Sequence, residues 1–209
     1  PSRAGSWWWS CAASTAGRAC ANPAPPPSSW EPGSCTTGAA TPRTNDAARR
    51  VLQRLGIDLF EAPSAGCCGA LSYHLAAREE GLSFMRRNID AWWPFIDAGA
   101  EAIVSTASAC GVMISDYGDV LQDDPEYAAK ARRVSELAKD LSEIIAGEPT
   151  MQQVQHIEDR PKIAFHSPCT LQHGQKITGV VEDLLTRAGF DLTPVADTHL
   201  CCGSAGTYS

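Results

Sequence analysis

The sequence predicts an α/β protein of two pseudo-repeated parallel-sheet lobes, the second truncated. Three observations carry that expectation. A cysteine pattern occurs twice, Cys35 with Cys67-Cys68-Gly69 and Cys169 with Cys201-Cys202-Gly203, and both copies spell Cys-x31-Cys-Cys-Gly. Between lone cysteine and pair, each copy carries a helical pattern and then a short strand pattern. These meet at Gly56-Ile57-Asp58-Leu59 in one copy and Gly189-Phe190-Asp191-Leu192 in the other, one residue out of register. Helix and strand patterns also alternate along the rest of the chain, as they do in a parallel sheet with crossover helices. A repeat on this scale is one supersecondary unit used twice. The expected divisions are 1–34, an irregular tail; 35–148, the first cysteine-rich lobe; and 149–209, the second, incomplete one.

Residues 1–34 hold Trp7-Trp8-Trp9, the run Pro23-Ala24-Pro25-Pro26-Pro27 and many Ala, Ser and Gly, with no sustained period of 2 or 3.6. Such a composition suits an irregular stretch. A shifted reading frame is a second reading, since a tryptophan run one base over reads as valine or glycine, and a valine strand would suit the fold. Cys11 and Cys20 fall here and are assigned no role.

Order is expected from Cys35. Thr44 or Asn45 is a candidate cap for a helix over 47–55, with Val51, Leu52 and Leu55 on its apolar side and Gly56 ending it. Ile57–Phe60 reads as a strand, and the loop from Pro63 leads to the first cysteine pair. A helix is expected over 70–98, with Leu71, Leu75, Leu82, Met85, Ile89, Trp92, Phe95 and Ile96 as its apolar face and Gly81 or Pro94 as places where it bends or divides. Trp92-Trp93 reads as core rather than as a docking point. Ala102–Thr106 is a buried strand running into Cys110. Asp124-Pro125 opens a helix over 128–146, and the polar connection from Gly147 to Pro161 is the domain boundary. Then come a strand over 162–166 ending at Ser167-Pro168-Cys169, a helix over 177–188, a strand over 190–195 and the second pair.

Composition narrows the function. With 209 residues, 44% of them apolar and 20% charged, a packed core is expected. A net charge of −7 excludes a general nucleic-acid binder, which needs a basic face. No run of 18 uncharged apolar residues occurs, so no transmembrane segment is expected. Nine cysteines, an odd count with two vicinal pairs and no secretory signal, fit thiolates holding a metal or cluster in a cytoplasmic protein better than a secreted disulfide framework.

Cys35, Cys67, Cys68 and Cys110 supply the four thiolates that a [4Fe–4S] cluster takes, each just past a strand or loop at one edge of the sheet. Cys169, Cys201 and Cys202 are expected to converge as an open three-thiol site. Side chains i and i+1 of an extended chain face opposite ways, so a vicinal pair reaches one site only if the backbone turns sharply, which Gly69 and Gly203 permit. Structural zinc is the rival, though its usual Cys-x(2–4)-Cys knuckles do not occur. A redox dithiol is the third reading. His74, His166, His173 and His199 flank the cysteines and read as hydrogen-bonded loop residues, with donors to sulfur as the functional alternative. No catalytic residue is identified.

The doubled Cys-x31-Cys-Cys-Gly pattern resembles the cysteine-rich CCG domain family, which includes the cysteine-rich chain of heterodisulfide reductases. Three stretches are similar to the iron–sulfur subunits of glycolate oxidases: 65–70 with Tyr73-His74, 166–176, and 199–209. The resemblance covers roughly 35–209. It implies an iron–sulfur cluster, [4Fe–4S] in type, and an electron-transfer subunit that passes electrons from a flavin-containing subunit oxidising glycolate to glyoxylate. It further implies a quinone as candidate acceptor and a complex in the cytoplasm or peripheral at the inner membrane. A thiol–disulfide or quinone reductase subunit of the heterodisulfide reductase type is an alternative, and a structural zinc module joining subunits another. The family's ferredoxin-like Cys-x2-Cys-x2-Cys-x3-Cys-Pro runs do not occur in these residues, and Cys110 stands alone where related units have Cys-x-x-Cys.

Overall fold

The computed structural model describes residues 6–9, 42–62, 64–149 and 159–200. The chain divides into two compact units, residues 1–141 and 142–209, so the division precedes the connection expected at 147–161.

The first unit is a parallel four-stranded sheet with helices between its strands. In chain order these are β1 (Ser6–Trp9), α1 (Pro42–Arg54), β2 (Asp58–Glu61), α2 (Ala70–His74) and α3 (Arg78–Asp97). Then follow β3 (Ile103–Ser105), α4 (Ser108–Ser115), α5 (Tyr117–Val120), α6 (Ala128–Leu137) and β4 (Ala138–Asp140). The strand order is β2-β1-β3-β4, with every pairing parallel. The order reverses between β1 and β3, and ligands of doubly wound sheets gather outside the carboxyl ends of the strands at that point.

Four differences from the sequence expectations have physical causes. The irregular tail does not hold at Ser6–Trp9, whose backbone is an interior strand with Ser6 opposite Asp58 and Trp8 opposite Ile103. Four aromatic-rich residues set among Ser, Ala and Gly suit a strand but are too few to show a period. The helix over 70–98 is two helices, broken at Leu75–Ala77, where Ala76 takes a left-handed φ of 66°. Gly81 and Pro94 both lie inside α3. Gly81 is instead the place where α2 crosses closely, since a Cβ there would stand 2.9 Å from Tyr73 Cβ and 3.0 Å from its Cα. The break takes Leu71 and Leu75 out of phase with the α3 stripe, and they are 59% and 51% exposed. The helix over 128–146 is interrupted by β4, because Ala138 turns extended (φ −65°, ψ 127°) and residues 138–140 pair with β3. In α1 the buried pair is Ala48 and Leu52, one turn apart, while Val51 faces out.

The core of the first unit lies between α3, β3, α4 and α6. Leu82, Met85, Ile89 and Trp92 form the α3 stripe and meet Ile103, Met113, Ile114, Tyr117, Leu121, Val134 and Leu137. Each large side chain so buried contributes about 1.5–3 kcal/mol. Asp124 starts α6 as expected. Its Oδ1 accepts the N–H groups of Glu126 and Tyr127 at 3.0 Å, and its Oδ2 takes the Arg86 guanidinium of α3 at 2.8 Å.

The second unit opens with helix α7 (Leu141–Gly147) and carries β5 (Lys162–Ile163), a π-helical turn (Thr170–Gly174), α8 (Val180–Arg187) and β6 (Asp191–Leu192). β5 and β6 pair in parallel, Lys162 opposite Asp191 and Ile163 opposite Leu192. Helix and strands are shorter than expected, because Gly179 (φ 77°) holds α8 to a later start. Among the described residues no helix is long and apolar enough to cross a membrane.

Candidate metal centre

Three cysteines of the first unit meet at the carboxyl edge of its sheet. β2 ends at Glu61, and the loop beyond it carries Gly66-Cys67-Cys68-Gly69 into α2. β3 ends at Ser105, and Cys110 sits in the first turn of α4. Cys67, Cys68 and Cys110 are 7%, 4% and 5% exposed. The vicinal pair serves one site because the chain turns at once: Gly69 has φ 85° and ψ −6°. A side chain there is barred twice, by the left-handed backbone and by the Gly81 carbonyl oxygen, which a Cβ would meet at 2.7 Å.

Behind the pair lies a small polar network in an otherwise apolar core. Asn88 of α3 is fully buried. Its Oδ1 accepts the Gly66 N–H at 2.8 Å, and its Nδ2 donates to the Cys67 carbonyl at 2.8 Å and to Tyr117 Oη at 3.1 Å. The Tyr117 hydroxyl donates to the Cys68 carbonyl at 2.8 Å. Its ring stacks on Trp92 with centroids 6.2 Å apart. Buried polar groups are costly unless satisfied, and here two side chains satisfy three successive backbone groups.

The thiol protons are unevenly shared. Hydrogen bonds from Cys110 and then Cys67 pull the Cys68 thiol down from 9.0 to about 3; burial opposes them, and the N–H groups of Ala70 and of Cys68 itself add to the lowering. The neighbouring sulfurs of Cys110 and Cys67 thus favour the anionic form of Cys68. Burial, and next the charge on Cys68, push the Tyr117 phenol well above its ordinary value while Asn88 opposes the rise, so its proton stays on the donor to Cys68. Among the described residues no group of three or more Cys, His, Asp or Glu forms a set that could hold a metal ion as it stands.

In the second unit Cys169 is half-buried and starts the π-helical turn. His166 and Gln172 flank it and both donate to the Thr198 carbonyl, at 3.2 and 2.9 Å; Gln172 also donates to the Ser167 carbonyl at 2.9 Å. The segment that leads to Cys201 is thus tied beside Cys169. His166 matches the expected hydrogen-bonded loop histidine. Cys35, Cys201 and Cys202 lie outside the described residues.

Sequence reading missed Asn88 and Tyr117. The signal for Asn88 was available: it stands in phase with Met85, Ile89 and Trp92, a lone amide on an apolar stripe. Tyr117 had none, because it lies in a short helix without its own pattern.

The chain is 57% identical over 175 residues to the "Glycolate oxidase iron-sulfur subunit" of Escherichia coli (strain K12), covering 84% of this chain and 42% of that protein. It is 28% identical over 167 residues to the "Probable glycolate oxidase iron-sulfur subunit" of Bacillus subtilis (strain 168), covering 79% and 37%. Against "Lactate utilization protein A" of Bacillus velezensis it is 30% identical over 167 residues, covering 78% and 66%. The chain thus spans less than half the length of the first two relatives. The sequence pattern of the CCG cysteine-rich domain matches residues 33–115 and 163–209, and so takes in both the thiol set around Cys68 and the segment around Cys169. With its thiols converging where that pattern falls, the chain belongs to the cysteine-rich CCG domain family.

Proposed function

We propose that this chain is the iron–sulfur, electron-carrying part of a glycolate oxidase complex. The observation that carries the reading is the buried set of Cys67, Cys68 and Cys110 behind the Gly69 turn. Thiolates are the ligands of iron–sulfur clusters. A [4Fe–4S] cluster takes four, and in this reading Cys35 is the fourth; Cys169, Cys201 and Cys202 form the second, three-thiol site. The donor set fits such a group in kind, since three buried cysteine sulfurs lie together and their mutual hydrogen bonding lowers the Cys68 thiol. When bound, the cluster supplies one-electron transfer. The chain's own residues hold it, exclude water from it and turn the backbone away from it.

The 57% identity to the E. coli protein, against 30% to the lactate utilization relative, favours glycolate as the substrate of the whole complex. The glycolate chemistry then belongs to a flavin-containing partner subunit, with a quinone as candidate acceptor. The complex is assigned to the cytoplasm or the inner-membrane periphery.

One observation favours a second reading. A thiolate beside a second thiol is what thiol–disulfide exchange needs. Cys68 is only 4% exposed, which denies a disulfide substrate access to it and ranks this reading below the first.

Anaerobic reconstitution of the full chain with iron and sulfide decides between them. Both should be retained, and Cys68→Ser should remove most of what the first unit holds. Binding of one equivalent of zinc with no retention of iron would reject the electron-transfer reading in favour of a structural zinc module.

A further inference from the structure

We infer that Ser105 and Thr106 are positioning residues for Cys110: two consecutive hydroxyls fix the turn from β3 into α4 and so hold that sulfur in the buried thiol set. The inference deepens the iron–sulfur reading above and rests on it for its consequence, the retention of a cluster.

The turn lacks a capping side chain of its own. Ala107, at the cap position of α4, is extended (φ −121°, ψ 109°) and makes no side-chain bond to the first turn. Ser105 takes over from two residues upstream. Its Oγ donates to the Ala107 carbonyl at 2.9 Å and accepts the Ala107 N–H at 3.3 Å, so one hydroxyl holds both ends of that residue. The same carbonyl accepts the Gly111 N–H at 2.9 Å. Cys110 lies inside the turn that this bond closes. Ser105 is buried, so water has no ready access to take its place.

Thr106 fixes the turn from outside. Its Oγ1 donates to Asn45 Oδ1 at 2.9 Å. Asn45 stands near the start of α1, a helix anchored by the buried Ala48 and Leu52. α1 runs straight into β2: the Ile57 N–H donates to the Leu52 carbonyl at 3.0 Å, and the loop past β2 carries Cys67 and Cys68. The bond between Thr106 and Asn45 therefore ties the limb that delivers Cys110 to the limb that delivers the pair. Backbone pairing through β1 sets the two limbs side by side, and the hydroxyls set the pitch of α4 on that frame. Cys68 and Cys110 share one buried cluster, so a tilt of α4 moves one sulfur relative to the other.

The test uses the full chain with Thr106→Val, Thr106→Ser and Ser105→Ala. Thr106 is only half-buried, so Thr106→Val, which keeps the branched shape and removes the hydroxyl, is the variant expected to fold. Val134→Ala, a core truncation in α6, is the control for general destabilisation. In the metal-free chain, alkylation of Cys110, read by peptide mapping, should be about two- to ten-fold faster in Thr106→Val and Ser105→Ala, the range that loss of one hydrogen bond gives. Exchange of the Gly111 N–H should quicken with it. After anaerobic reconstitution, iron should pass to a chelator faster by a similar factor. Thr106→Ser keeps the hydroxyl and should return all three rates to wild type. Val134→Ala should lower the melting temperature without this local gain. Wild-type rates in Thr106→Val, or a Thr106→Ser as fast as Thr106→Val, would overturn the inference. So would faster alkylation with unchanged iron release. Failure of wild type itself to retain iron and sulfide would instead reject the iron–sulfur reading, and the alkylation and exchange rates would then decide alone whether the hydroxyls hold Cys110.

Discussion

At the scale of the residue, the site depends on one glycine and one thiolate. Gly69→Ala forces a side chain onto a left-handed backbone and against the Gly81 carbonyl oxygen at 2.7 Å. It should cost about 1–3 kcal/mol, read as a lower urea midpoint, and the displaced turn should separate Cys68 from Cys110. Cys68 gives a pH signature. Its thiol titrates near 9.0 when unperturbed and at about 3 in the fold. Between those values the unfolded chain binds a proton that the folded chain has released, so stability from this group rises with pH. The contribution is complete above the unfolded value and is lost as pH falls toward about 3. Urea denaturation of the metal-free chain across this range should show wild type gaining on Cys68→Ser with rising pH; parallel curves would mean an ordinary thiol. The cysteines themselves were legible in the sequence, because their spacing repeats. Of the groups behind them, Asn88 showed only as a lone amide on an apolar stripe and Tyr117 not at all, since both act through backbone atoms.

At the scale of the element, breaks and insertions escaped the sequence while the periodic segments did not. The stripe Leu82, Met85, Ile89, Trp92 is the face its 3.6-residue period announces. The break before it is made by Ala76, an alanine at φ 66°, a residue that argues for helix by propensity and is overruled by the crossing of α2 on α3. An L-residue in that conformation carries about 1–2 kcal/mol of strain, and glycine carries little, offset by about 0.4–1 kcal/mol of extra unfolded-state entropy. Ala76→Gly should therefore raise stability by about 0.5–1 kcal/mol, seen as a small gain in melting temperature with unchanged iron uptake. A loss of stability would show that this turn is held in some other way. β4 was hidden for a related reason. Its three residues sit between two helical patterns, and only pairing with β3 makes them a strand.

At the scale of the whole molecule, the parallel α/β plan was legible from the alternation of helix and strand, and the place of β1 was not. β1 lies between β2, whose loop carries Cys67 and Cys68, and β3, whose loop leads to Cys110. It is therefore the strand that keeps the two halves of the thiol set in register, although it stands far from all three in sequence. Trp8 is opposite both Phe60 and Ile103, so Trp8→Pro removes an interior ladder bond. It should cost about 3 kcal/mol or more and reduce iron retention along with stability. A variant as stable as wild type would place β1 outside the sheet. The same topology sets a timetable for synthesis. Ser6–Trp9 leave the ribosome before either partner, and one edge of that strand waits for Asp58–Glu61 and the other for Ile103-Val104. At ordinary elongation speeds of about 5–20 residues per second, the second wait lasts on the order of 5–20 seconds. Throughout it, the strand presents unpaired backbone to every neighbouring nascent chain. Soluble yield should therefore respond to translation speed and chaperone supply more sharply than the finished protein responds to denaturant.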